Sequence, residues 1–125
     1  MDKTVTKLTE RDIQNALVDL GTPPNILGFT YLTKAIIMVH ENPDWIHRTT
    51  KTLYPEVANA TGSTPARVER AIRHAIEVTW SRGDRELFTT MFGRTIAAYK
   101  GKPTNSEFIA MIAMRLEQEL DNRDL

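Results

Sequence analysis

Apolar positions along the chain recur every three to four residues rather than every second one, so it reads as helices throughout. Thr9 can cap a first helix with Ile13, Leu17 and Leu20 on one side and Gly21 as its stop. Thr22-Pro23-Pro24-Asn25 cannot continue it, because two prolines lack donors and restrict the residues before them. A second helix is expected over about Gly28 to His40, with Leu32, Ala35, Ile36 and Val39 on one face. Asn42-Pro43-Asp44 ends it, and Asp44 can cap a short turn carrying Trp45 and Ile46. A short helix follows near Tyr54 to Ala60, with Pro55 acceptable only in its first turn. Beyond the turn Thr61-Gly62-Ser63-Thr64, Pro65 opens the most regular helix of the chain, ending near Arg82 with Gly83 in the C′ position.

Asp84 can cap a further helix to about Phe92, while Gly93 to Pro103 fits either a helical extension or a packed loop. Thr104-Asn105-Ser106-Glu107 is a capping box, and Phe108, Ile109, Ile112, Ala113 and Leu116 mark a last helix to about Leu120. No alternating β-branched run of strand length competes. The expected fold is therefore all-α, a compact bundle of about six helices containing a helix-turn-helix. Residues 1–8 are read as an N-terminal arm, 9–120 as the helical domain and 121–125 as a frayed tail.

Composition narrows the function classes. With 125 residues, 41% of them apolar, the chain can bury one core. Zero cysteines exclude a disulfide framework, a thiolate zinc site and a cysteine nucleophile. No apolar run approaches the ~20 residues of a membrane span, and the N-terminus lacks an apolar signal region, so a cytoplasmic location away from membranes is expected. His40, His47 and His74 are too scattered for a metal triad, and no glycine loop cradles a phosphate. No enzymatic activity, cofactor, metal or small-molecule substrate is therefore expected.

Sixteen basic and sixteen acidic side chains cancel, but not evenly. Residues 1–44 carry a net −2, residues 45–103 a net +5 and residues 104–125 a net −3. The surplus of positive charge lies in the middle, which points to an anionic partner.

The same middle segment fits a helix-turn-helix. Ala58 is the small residue where two steeply crossed helices touch, Gly62 accepts positive φ in the turn, and Val68 is the apolar residue the second helix must bury. In that second helix Val68, Ala71, Ile72, Ala75 and Ile76 form the inner stripe, leaving Arg67, Glu69, Arg70, Arg73, His74 and Glu77 outside. Arg70 and Arg73 share a face in the half of a recognition helix that reads base edges in the major groove. Arginine there can fork onto guanine O6 and N7, and Glu69 can accept from a cytosine amine. Ser63 and Thr64, at the helix start, are candidates to hold a phosphate through hydroxyls and backbone amides. The plainer reading is a solvated face with ordinary i,i+4 pairs such as Glu69–Arg73.

The run from Arg67 to Val78, followed by Trp80-Ser81-Arg82-Gly83, resembles the C-terminal effector domain of the stage zero sporulation protein A family, response-regulator transcription factors of spore-forming Firmicutes. Leu53-Tyr54-Pro55 and the run from Gly101 to Met111 extend the resemblance, which covers roughly Leu20 to Leu116. It implies a six-helix effector domain that binds double-stranded DNA at a TGTCGAA-like box, in tandem copies occupied by two protomers head to tail. By position in the motif it implies base contacts from Arg67, Glu69, Arg70 and Arg73 and a backbone contact from His74. Lys102 is a further candidate phosphate contact. The segment after Gly83, with Asp84, Leu87 and Phe92, corresponds to the family's contact with a sigma subunit of RNA polymerase, although Asp84 to Phe88 is more charged than that segment usually is. Glu41 to Thr50 diverges, and the phospho-acceptor receiver domain with which the family protein usually begins has no counterpart in these residues. The competing expectation is a helical protein-interaction module that uses the same exposed stripe, or the helix from Asp84 to Phe92, on a protein rather than on DNA.

Overall fold

Proline breaks and side-chain caps divide the described residues into six α-helices, as seen in a computed structural model that describes residues 7–97 and 101–123, the side chains of residues 92–97 and 123 excepted. They are α1 (Glu10–Leu20), α2 (Leu27–Glu41), α3 (Tyr54–Thr61), α4 (Pro65–Arg82), α5 (Arg85–Ala97) and α6 (Asn105–Arg123). No strand occurs among the described residues. Thr9 caps α1 through a reciprocal box with Asp12, as its hydroxyl accepts from the Asp12 amide at 3.2 Å and the carboxylate accepts from the Thr9 amide at 3.0 Å. Thr104 and Glu107 close the start of α6 in the same reciprocal way.

Helix α2 is the centre of the bundle. Eight of its 15 residues are buried, and it packs against α1, α3, α4 and α6 at once. Its closest partner is α4. Gly28 lies so near that a Cβ placed on it would stand 2.3 Å from the Ala71 carbonyl oxygen and 2.6 Å from the Ala75 Cβ. The two backbones can approach only because all three residues are small. Ala71, expected in the fully buried stripe, is half-buried beneath this crossing, while Thr79 joins the buried set of Val68, Ile72, Ala75 and Ile76. Thr79 is tolerated there because its hydroxyl donates to the Ala75 carbonyl at 2.7 Å and shares a 2.7 Å hydrogen bond with Thr22.

A second close approach fastens the far end of α4. Gly83 follows Arg82 as expected, but its backbone is extended, with φ −78° and ψ −174°, rather than left-handed. A side chain is excluded for another reason: a Cβ would sit 2.1 Å from the Leu20 carbonyl oxygen. The next amide, of Asp84, donates to that same carbonyl at 3.1 Å and so ties the α4–α5 junction to the end of α1.

Other boundaries differ from the expected ones. Pro43–His47 forms a 3-10 turn, and Thr49–Leu53 forms a π turn that runs directly into α3. Helix α5 passes Phe92 to reach Ala97, and α6 continues through the expected tail to Arg123. Leu8, placed in the arm, is buried, and its amide donates to His40 Nε2 at 3.4 Å. Residues 1–6 and 124–125 lie outside the described residues. No helix among those described is long and apolar enough to cross a membrane.

Gly28→Ala is expected to destabilise the domain by about 1–3 kcal/mol through overpacking of the α2–α4 crossing. Gly101→Ala, where a Cβ meets nothing within 4 Å, is expected to stay within about 0.5 kcal/mol of the parent. Paired chaotrope melts of the two variants check both values.

Candidate nucleic-acid interface

The motif is assembled from its caps inward. Pro55 stands in the first turn of α3, where no amide donor is needed. The helix ends on Gly62 in the left-handed region, φ 69° and ψ 34°, and the Ser63 amide donates back to the Ala58 carbonyl at 2.9 Å. Thr64 then caps α4: its hydroxyl accepts from the Arg67 amide at 3.3 Å, and Pro65 takes the first helical position. Ala58 and Val68, the small residue and its apolar partner, are both buried. Helices α3 and α4 pack against each other across this turn.

With the inner face of α4 buried against α2 and α3, its outer face is set by helical periodicity. Arg67, Arg70, Arg73 and His74 are all exposed, with Arg70 near the centre of that face. Arg73 lies to one side, next to α3 and α6, and forms an ion pair with Glu69 one turn earlier, so the Glu69–Arg73 pairing does form. His74 lies to the other side, where it lines a shallow cavity with Pro23, Asn25, Ile26, Ser81 and Arg82. Lys102 is brought from the segment before α6 to the same surface, and its Nζ donates to Glu77 Oε2 at 3.1 Å. Ser63 is half-buried and Thr64 exposed. The Thr64 oxygen is engaged as a cap acceptor, and its hydroxyl hydrogen is the group that can still reach a phosphate.

The residues expected at a polymerase contact are elsewhere. Asp84 caps α5, its carboxylate accepting from the Leu87 amide at 3.0 Å. Leu87 is half-buried and lines a groove of about 530 Å³ between α1, α5 and α6, together with Met91, Leu116, Asp19 and Glu119. The side chain of Phe92 lies outside the described ones. Arg85 stacks 4.3 Å above the Trp80 ring, which meets Phe88 edge-on at 5.1 Å, so Trp80 anchors the α4–α5 corner.

Sequence reasoning missed two residues beside the exposed face of α4. Asn105 donates from its side-chain amide to the Tyr54 hydroxyl at 3.1 Å and to the Glu69 carbonyl at 3.2 Å, joining α6 to both helices of the motif. In the sequence Asn105 is only the second residue of a capping box, and Tyr54 only the apolar residue before Pro55. Burial raises the Tyr54 phenol above its ordinary pKa of 10.0, while the hydrogen bond from Asn105 pulls it partly back.

An all-helical domain that presents a capped, arginine-bearing second helix of a helix-turn-helix is the architecture of a DNA-binding transcription factor. Residues 13–116 match the family model described as Sporulation initiation factor Spo0A C terminal. The chain belongs to that family, which consists of DNA-binding effector domains of sporulation response regulators and is not a catalytic one.

Tyr54 favours the protonated phenol in the folded state, so its contribution to stability is complete below about pH 10 and lost as pH rises through the raised folded value. Tyr54→Phe is expected to flatten the alkaline limb of the stability profile above pH 10, read by chaotrope melts at successive pH values.

Proposed function

We propose that α4 enters the major groove of a TGTCGAA-like box and that the domain controls sporulation-type genes by binding such boxes. In this reading Arg70 and Arg73 fork onto guanines, Arg67 reaches a base or an adjacent phosphate, and Glu69 accepts from a cytosine amine. Ser63, Thr64, His74 and Lys102 hold the flanking backbone. The observation that carries the reading is the common exposure of Arg67, Arg70 and Arg73 on a helix whose other face is locked into the core.

The ion pairs on this surface do not oppose it. An exposed i,i+4 pair such as Glu69–Arg73 contributes about 0.3–0.5 kcal/mol, whereas a bidentate arginine–guanine contact discriminates by about 1–3 kcal/mol. The base contact wins, and Glu69 is released toward its own base. A net +5 in residues 45–103 is a modest field, which suits a domain that relies on base contacts and on a second protomer bound head to tail at a tandem box. Contact with a sigma subunit of RNA polymerase would fall on the segment of Asp84, Leu87 and Phe92. The groove beside Leu87 is lined by no residue of α3 or α4, so that contact leaves the DNA surface open.

Arg73→Ala is expected to cost about 1–3 kcal/mol on the box and to relax sequence preference. Fluorescence anisotropy with box and scrambled duplexes reads the change, and unchanged box affinity would place base recognition elsewhere. Lys102→Ala is expected to weaken both duplexes alike and to reduce the slope of log affinity against log salt by about 1. A selective loss on the box alone would remove Lys102 from the backbone contacts.

A further inference from the structure

Helix α4 is aligned from inside the motif by its turn and by the burial of Ala58 and Val68, and both act through its first two turns. The segment 102–106 meets it from outside, at two points. Asn105 reaches the Glu69 carbonyl and Lys102 reaches the Glu77 carboxylate, eight residues farther on and thus about 12 Å along the helix. The Asn105 contact differs in kind from the Lys102 contact. It engages backbone rather than a mobile side chain, and the same amide group also holds the hydroxyl of Tyr54, the first residue of α3. Both hydrogens of the amide are thus used, one on each helix of the motif. Tyr54 is buried, so its hydroxyl is a fixed acceptor. The Glu69 carbonyl lies between Arg67 and Arg70, in the part of α4 that carries the exposed arginines.

We propose that Asn105 is a positioning residue for DNA recognition: by clamping Tyr54 of α3 to the Glu69 backbone of α4, it sets the projection of Arg70 and Arg73 and thereby the sequence preference of the domain. This rests on the reading that α4 carries the base contacts. Asn105 does not itself touch DNA in this scheme. Its removal leaves every cation of the surface in place, so backbone affinity is preserved while the bidentate geometry, which tolerates little displacement, is degraded.

The test compares the parent chain, Asn105→Ala and Tyr54→Phe on box and scrambled duplexes by fluorescence anisotropy at several salt concentrations, with the folded fraction of each fixed by circular dichroism. Asn105→Ala is expected to lower the box-to-scrambled affinity ratio by about tenfold while the scrambled affinity and its salt slope stay unchanged. Tyr54→Phe keeps the ring in the core and removes one of the two acceptors, so a smaller loss of ratio is expected, with no further loss when it is added to Asn105→Ala beyond that of Asn105→Ala alone. In a sample with labelled tyrosine, the Tyr54 phenol is expected to titrate higher in Asn105→Ala than in the parent, which reports loss of the clamp itself. An unchanged ratio in Asn105→Ala, with the parent still preferring the box, overturns the positioning role alone. Equal loss on both duplexes also overturns it, because the residue would then be merely structural. A parent chain that shows no preference overturns the recognition reading and this inference with it.

Discussion

The backbone-to-backbone approach of α2 and α4 is the constraint on which the rest of the structure depends. Gly28 rests on Ala71 and Ala75 at distances that leave no space for even one added methyl group. Once the two helices meet there, the orientation of α4 about its own axis is decided. Val68, Ile72, Ala75 and Ile76 must point inward, and the helical period then carries Arg67, Arg70, Arg73 and His74 outward. The exposed arginine face of α4 is the reverse side of a packing contact. A change at Gly28 therefore bears on the direction of the arginines through geometry, although it packs against the opposite side of α4.

Three further ties hold α4 along its length. Thr64 caps its start, Asn105 grips its second turn from α6, and the Gly83 contact with Leu20 fixes its end. Between them the Thr22–Thr79 hydroxyl pair bonds α4 to the α1–α2 connection inside the core. A neutral hydrogen bond contributes only about 0.5–1.5 kcal/mol, far less than the apolar burial of α2 and α4. These ties matter for direction rather than for strength. Hydrophobic burial is non-directional and would accept small rotations of α4, whereas hydrogen bonds at separate points along it would not.

Much of this was legible from the residues. Thr9, Asp84 and Thr104 each cap the helix they were expected to cap, and Gly21, Gly62 and Pro65 mark turns where the chain does turn. These signals act between neighbours in sequence, so sequence carries them. The exposed arginines followed from periodicity for the same reason. The role of Gly83 was legible in position but not in cause, since its requirement comes from Leu20, some sixty residues away, and not from its own backbone conformation. The π turn at Thr49–Leu53 left no local signal either, because Arg48 to Leu53 closes a backbone ring that no side chain announces.

The sequence by itself determined the six α-helices short of their exact ends, the motif, the family resemblance and the residues that face outward, because caps, turns and helical period are short-range physics. What only the tertiary structure decided is which distant groups meet. Asn105 finds Tyr54 and Glu69, Lys102 finds Glu77, and Gly28 finds Ala71. Each of these contacts spans 25 or more residues, and packing α2, α4 and α6 around one core is what brings the partners within reach of each other.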